Sequence, residues 1–145
     1  MIAKLISVLT LEVIQVILLV GVAVLLYGWR PAGSPWLALG VMALGTVTFA
    51  ALGLAMAGAL RAEVTLAGAN ALYLLFLLLG GGVLPLSHLP PGLAGLAQLL
   101  PASALTQMLQ ASLTDRAAFP GAALLTLAIW AVVILFVAIR TFRWE

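Results

Sequence analysis

GGGVLPLSHLPPGLAGLAQLLP, residues Gly80 to Pro101, is the stretch that decides how this chain folds. It combines three consecutive glycines with four prolines, so it cannot continue a helix. It contains no Asp, Glu, Lys or Arg, which sets it apart from an ordinary exposed loop. In lipid, each unsatisfied backbone N–H or C=O group costs several kcal/mol. We therefore expect the break at the outer boundary of a membrane, as a segment that dips into the outer leaflet or lies along it.

The composition indicates that lipid surrounds most of the chain. Of the 145 residues, 66% are hydrophobic and 7% are charged, whereas a soluble domain has about 25% charged residues. Six basic and four acidic residues are too few to keep a chain of this length in water. The basic residues are scattered, which argues against nucleic-acid binding. The chain has no Cys, which excludes disulfides and thiolate metal sites.

Four apolar runs predict an all-α fold, a polytopic transmembrane helix bundle. A helix needs about 20 apolar residues to cross the hydrocarbon core, and the third run reaches this length only if the glycines are included. We expect a single transmembrane domain over residues 1–145, with four spans and a pair of short external re-entrant or interfacial helices. The predicted spans are 5–27, 36–60, 64–84 and 120–139, and the short helices lie within 91–113.

The residues after Pro101 predict an amphipathic helix at the membrane interface. Its apolar face comprises Leu105, Met108, Leu109 and Leu113, and its polar face comprises Ser103, Thr106, Gln107 and Gln110. A similar apolar stripe precedes Pro101, so the segment is expected to form two short helices that are broken at this proline.

The distribution of basic residues predicts the orientation. If all four runs span, the termini share a side with Lys4, Arg61, Arg140 and Arg143, and the other side holds Arg30 and Arg116. Four basic residues against two favour cytoplasmic termini by the positive-inside rule.

Three polar residues within the spans are candidates for function. Glu12 lies in the first span, and an intramembrane carboxylate indicates a pathway or a proton site, unless it pairs with Lys4 or snorkels to the headgroups. Gln15 follows on the same helix face. Asn70, in the third run, is expected to hydrogen-bond to a neighbouring helix or to contact substrate.

The chain has none of the motifs that mark an enzyme. GxxxxGK[ST], HExxH, GxSxG and CxxC are all absent, and one histidine with four acids leaves no pairs for acid–base chemistry. We predict no catalytic, cofactor-binding or metal-binding residue, and we interpret His88 as an exposed turn residue.

Residues 62–113, AEVTLAGANALYLLFLLLGGGVLPLSHLPPGLAGLAQLLPASALTQMLQASL, and the ending RTFRWE resemble the permease subunits of type-2 ABC exporters. In that family, the fifth span runs into a glycine-rich break, followed by external re-entrant helices, a sixth span and a basic-aromatic tail. The resemblance implies that Glu12, Gln15 and Asn70 line or brace the pathway. It also implies that the external gate includes the break residues Gly80, Gly81, Gly82, Pro85, Pro90, Pro91 and Pro101.

The resemblance implies a membrane subunit of an ATP-driven ABC exporter in the bacterial inner membrane. Its partners would be an ATPase subunit, which hydrolyses ATP, and a second permease half or a second copy of the chain. The chain begins where the family's third span would begin, without the loop that contacts the ATPase, so a truncated gene, a fragment and a split permease are all open. Two alternatives are a small proton-coupled multidrug antiporter, in which Glu12 carries the proton, and a non-transporting membrane scaffold.

Overall fold

The fold is built from helices alone in the part of the chain that a computed structural model describes, residues 2–28, 32–114 and 118–141. The helices are α1 (Ile2–Tyr27), α2 (Pro35–Ala59), α3 (Ala62–Leu79), α4 (Pro91–Gln98), α5 (Pro101–Leu113) and α6 (Gly121–Thr141), with a 3-10 turn at Leu86–His88. Four of them, α1, α2, α3 and α6, are long and apolar enough to cross a membrane. The predicted all-α bundle with four spans and two short helices is confirmed.

Local signals in the sequence fix where the helices begin and end. The Ser34 hydroxyl accepts a hydrogen bond from the Leu37 N–H (3.4 Å), and Pro35 occupies the first turn of α2, where its missing N–H is harmless. The third helix ends at Leu79, whereas the sequence extends the third span to residue 84. Residues 80–84 are not helical, because the three glycines lower helix propensity and Pro85 follows.

The core of the bundle lies between α2, α5 and α6. Its larger cluster is formed by Val41 of α2, Ala104 and Met108 of α5, and Ala123 and Leu127 of α6. All five are buried, and Met108 and Leu127 are the largest fully buried apolar side chains among them. The short helix α5 therefore acts as a wedge between the two long helices.

A second cluster joins α2 to α6 beyond the reach of α5. It consists of Ala51 and Ala55 of α2 and Ala138 of α6. Small side chains allow two helices to approach closely in a membrane, where packing rather than the hydrophobic effect drives association. Ala59, which continues the alanine row of α2, is exposed.

The position of α5 corrects one expectation from the sequence. The predicted interfacial helix would lie along the membrane surface, with Ser103 on its exposed polar face. Instead, Ser103 is fully buried, and Leu105 packs over Gly45, ten residues into α2. The missing side chain of Gly45 lets Leu105 pack against α2, so α5 lies within the bundle, as the re-entrant form of the predicted pair requires.

The far end of α5 defines what we call the loop end of the bundle. There, Gly33, in the α1–α2 link, packs so closely on the backbone of Ser112 that a Cβ atom would collide with its carbonyl. Gly33, just before α2, and Ser112, near the end of α5, thus lie at the same end of the bundle, and the link between α2 and α3 at Leu60 and Arg61 lies at the opposite end of α2.

The helices α1 and α3 flank α2 with few contacts. None of the α1 or α3 span is buried. The contact of α3 with α2 includes an edge-to-face pair of Phe49 and Phe76, whose ring centroids are 5.7 Å apart. Apolar grooves of about 670 Å³ and about 410 Å³ separate α2 from α1 and from α3, respectively.

Candidate functional site

The glycine break turns the chain sharply after α3. The Gly80 N–H closes the helix by donating to the Phe76 carbonyl (2.7 Å), and a Cβ atom at Gly80 would lie 3.2 Å from the Ala102 Cβ. Gly81 then adopts φ +77°, in the left-handed region that side chains disfavour. Gly80 thus permits a close approach of α5, and Gly81 permits the turn.

Each proline of the break stands where a helix or a 3-10 turn begins. Pro85 precedes the 3-10 turn, Pro90 caps α4 and Pro91 is its first residue, and Pro101 is the buried first residue of α5. Proline has no N–H, and the first N–H groups of a helix have no partner within it. The prolines therefore reduce the number of backbone N–H donors that the helix starts leave without a partner.

A tryptophan contacts the turn between α4 and α5. We call these two helices the re-entrant pair and the turn at Leu99 and Leu100 its tip. Between α4 and α5, the Leu99 carbonyl accepts a hydrogen bond from Trp130 Nε1 (2.8 Å). Trp130 lies nine residues after the start of α6, about 14 Å along the helix, which is near the middle of a hydrocarbon core about 30 Å thick. The re-entrant pair thus reaches the level of the middle of α6, and the indole satisfies a carbonyl that the break leaves without a helical partner.

The carboxylate of Glu12 has a partner on the neighbouring helix. Thr46 Oγ1 hydrogen-bonds to Glu12 Oε2, and it also lies 3.0 Å from the carbonyl of Met42. Glu12 is half-buried and lies near the middle of α1, and Thr46 lies near the middle of α2. This contact connects α1 to α2 inside the span, whereas the side chain of Lys4, the alternative partner, lies outside the described residues.

The other two candidates stand apart from this pair. Gln15 and Asn70 are both exposed, on α1 and α3 respectively. The hydrogen bond predicted between Asn70 and a neighbouring helix is not found within the described part of the chain. The structure thus joins Glu12 to Thr46 but does not bring Glu12, Gln15 and Asn70 into one cluster.

Thr46 and Trp130 were not predicted from the sequence, although both stand out in it. Trp130 lies in the middle of an apolar run rather than at its ends, where tryptophan is favoured. A buried indole usually finds an acceptor for its N–H. Thr46 is one of two threonines in the second apolar run, residues 36–60, which has no charged residue, so its hydroxyl is a rare polar group there.

No other arrangement for chemistry is present in the residues described. Within residues 2–28, 32–114 and 118–141, no three His, Cys, Asp or Glu side chains are placed to hold a metal ion. His88 is exposed at the end of the 3-10 turn. The candidate site is therefore the glycine–proline break, residues 80–101, together with the residues of α2, α3 and α6 that contact it or the following helix α5.

Comparison with known families identifies this architecture. A family model described as ABC-2 type transporter matches residues 1–114, from α1 through the re-entrant pair. The chain belongs to the ABC-2 type transporter family. It is therefore an ABC-2 type permease, an integral membrane protein. Searches of curated proteins and of solved structures find no match.

The three glycines of this permease offer a matched pair of substitutions. Gly81→Ala should lower the free energy of unfolding by roughly 1–2 kcal/mol, because alanine disfavours the left-handed conformation at φ +77°. Gly82→Ala is the control, since nothing lies within 4 Å of an added Cβ and its φ is not in that region. Unfolding of the purified protein by SDS titration measures both, and equal stability of the two variants would contradict the assigned turn.

The anchor at the tip is tested by two tryptophan variants. Trp130→Phe removes the indole N–H and leaves the Leu99 carbonyl without its donor, so we expect a loss of about 1 kcal/mol. Trp36→Phe is the control, because Trp36 is 81% exposed near the start of α2. The same SDS titration reports the difference, and an unchanged midpoint for Trp130→Phe would show that the hydrogen bond does not hold the tip.

Proposed function

We propose that the chain is the membrane subunit of an ATP-driven ABC exporter and forms part of its substrate pathway. Membership of the ABC-2 type family carries this proposal. The chain has no nucleotide-binding motif of its own, so ATP hydrolysis belongs to a separate ATPase subunit. The re-entrant pair supports the pathway role, because non-helical backbone at membrane depth is tolerated only against protein or beside water.

The exposed helices support a second permease half, either another subunit or a second copy. Gln15 and Asn70 are exposed within spans, and a carboxamide in contact with lipid is unfavourable. The apolar grooves along α2 leave further surface uncovered. A partner that covers α1 and α3 would enclose both amides, and the pathway would run between the two halves.

The orientation follows from the basic residues. With cytoplasmic termini in a bacterial inner membrane, the loop end faces outward, and Arg61 and Arg140 lie inside. Arg140 stacks over the Phe136 ring (4.8 Å), as expected for a basic residue at a membrane interface. The other basic residues that were counted for the orientation have side chains outside the described residues. They are Lys4, Arg30, Arg116 and Arg143.

In this orientation, the break forms the outer gate. Gly80 and Gly81 let α3 end against α5, and Pro101 starts α5 at the tip. Because α5 contacts α2, α3 and α6, a movement of any of these helices displaces the gate. Glu12, paired with Thr46, braces α1 against α2.

Co-purification with an ATPase subunit tests the proposal. The tagged chain should retain an ATP-binding cassette protein from its own organism, and an unrelated four-span membrane protein with the same tag should not. If the ATPase fails to associate even when it is co-expressed with the chain and any further permease segment encoded next to it, the proposal is wrong.

The Glu12–Thr46 pair allows a test against the proton antiporter. Glu12→Gln keeps a hydrogen-bonding group for Thr46, so transport should change by no more than about threefold, the effect of a bond worth about 0.6 kcal/mol. An antiporter that uses Glu12 as its proton carrier would instead lose proton-driven efflux completely. Efflux driven by ATP and by a proton gradient should be measured separately in vesicles.

A further inference from the structure

The helix α5 carries a row of polar side chains on the face opposite the bundle core. They recur at intervals of three and four residues and therefore share a face. The row consists of Ser103, Thr106, Gln107, Gln110 and Thr114. The residues that pack into the core, such as Ala104 and Met108, lie on the other side of the helix.

The row runs from the loop end to the middle of the bundle. Thr114 and Gln110 are exposed, Gln107 is partly buried and Ser103 is fully buried. Thr114 lies eleven positions after Ser103, which is about 17 Å along the helix axis. Ser103 lies two residues after Pro101, at the tip that Trp130 anchors. The polar face thus extends to the depth where a membrane protein is otherwise apolar.

The carboxamides of the row have unused hydrogen-bonding capacity. Gln107 Nε2 donates to Ser103 Oγ (3.1 Å), and the hydroxyl of Thr106 donates to its own helix. Within the described residues, no hydrogen bond involves the Gln107 amide oxygen or the Gln110 side chain. An amide in hydrocarbon without a partner costs several kcal/mol, so water or a polar ligand must be available to this face.

A groove lies along the outer part of the row. Its volume is about 290 Å³, and it runs between α5 and the residues that lead into α6. The lining includes Gln107, Gln110 and Thr114 together with Ala118 and Pro120. At about 30 Å³ for each water molecule, this space admits a continuous file of water or a small polar group.

We propose that this face of α5 forms a hydrated lane that takes the neutral, hydroxyl-bearing part of a substrate. Hydroxyls and carboxamides both donate and accept hydrogen bonds, which matches ligand hydroxyls. The row contains no charged side chain, so an ionic group that moves as far as Gln107, the deepest polar residue that lines the groove, loses water without gaining a counter-charge. This inference rests on the proposed export function and narrows its substrate class.

Single cysteines test the lane directly, because the chain has no cysteine of its own. Gln110→Cys, Gln107→Cys and Ser103→Cys sample the row from its mouth to its buried end. Ile129→Cys, at a residue that is 61% exposed on the apolar surface of α6, is the lipid-facing control. Each variant of the full chain, in lipid vesicles, is treated with neutral hydroxyethyl, anionic sulfonatoethyl and cationic trimethylammonioethyl methanethiosulfonates.

The expected pattern depends on depth and on reagent charge, with each rate divided by that for a free thiol in water. Gln110→Cys should react with all three reagents. At Gln107→Cys, the neutral reagent should react at least about tenfold faster than either charged one, as a penalty of about 1.4 kcal/mol or more requires. Ser103→Cys, which is fully buried beyond the groove, should react slowly with all three. Ile129→Cys should react slowly with all three, because a thiol in lipid does not ionise.

Two results would overturn the proposal. If Gln107→Cys reacts no faster than Ile129→Cys with any reagent, the row is dry and no lane exists. If charged reagents react at Gln107→Cys as fast as the neutral one, the lane does not select neutral groups. Should Gln107→Cys fail to fold, Ala111→Cys, which lines the same groove, gives the same ratio. Labelling requires no ATPase, so these failures are distinguishable from a failure of the export function.

Discussion

Hydrocarbon offers no hydrogen bonds, so every backbone break inside the membrane must be satisfied by the protein or by water that the protein admits. The stretch between α3 and α5 meets this constraint in three ways. Its prolines remove N–H groups at helix starts, Trp130 donates to the Leu99 carbonyl, and α5 is packed between α2 and α6. Without these supports, a chain with three consecutive glycines and four prolines would have to leave the membrane, and the bundle would lose its central wedge.

The position of α5 between α2 and α6 also explains why the four long helices are packed to different extents. The helices α2 and α6 are joined to α5 and to each other through buried small residues, such as Ala55 and Ala138. By contrast, α1 and α3 make few contacts with the rest of the bundle. These include the Glu12–Thr46 hydrogen bond, the Phe49–Phe76 pair and the approach of Gly80 to Ala102 of α5. Elements with few buried contacts open at low free energy. A rigid core with two loosely held flanks suits a permease whose flanks pack against a second half.

The sequence predicted the helices well, because length and apolarity decide membrane spans almost alone. It also located the break, since glycine and proline act locally. It could not predict the depth of α5, because the choice between a surface helix and a re-entrant one depends on whether α2 and α6 leave room. That room comes from Gly45, where the missing side chain admits Leu105, a residue distant in sequence. The partner of Glu12 was missed for the same reason, since Thr46 is 34 residues away.

The depth of the re-entrant tip tests this account most directly. A nitroxide attached at Leu99→Cys, a residue that is 63% exposed, reports its depth through relaxation by oxygen and by a water-soluble nickel complex. Labels at Val132 of α6 and at Phe119, just before α6, mark the middle and the surface of the bilayer. The account predicts that the label at residue 99 matches the one at Val132, with high oxygen and low nickel accessibility. A label that matches Phe119 would place the tip at the headgroups and would contradict the re-entrant structure.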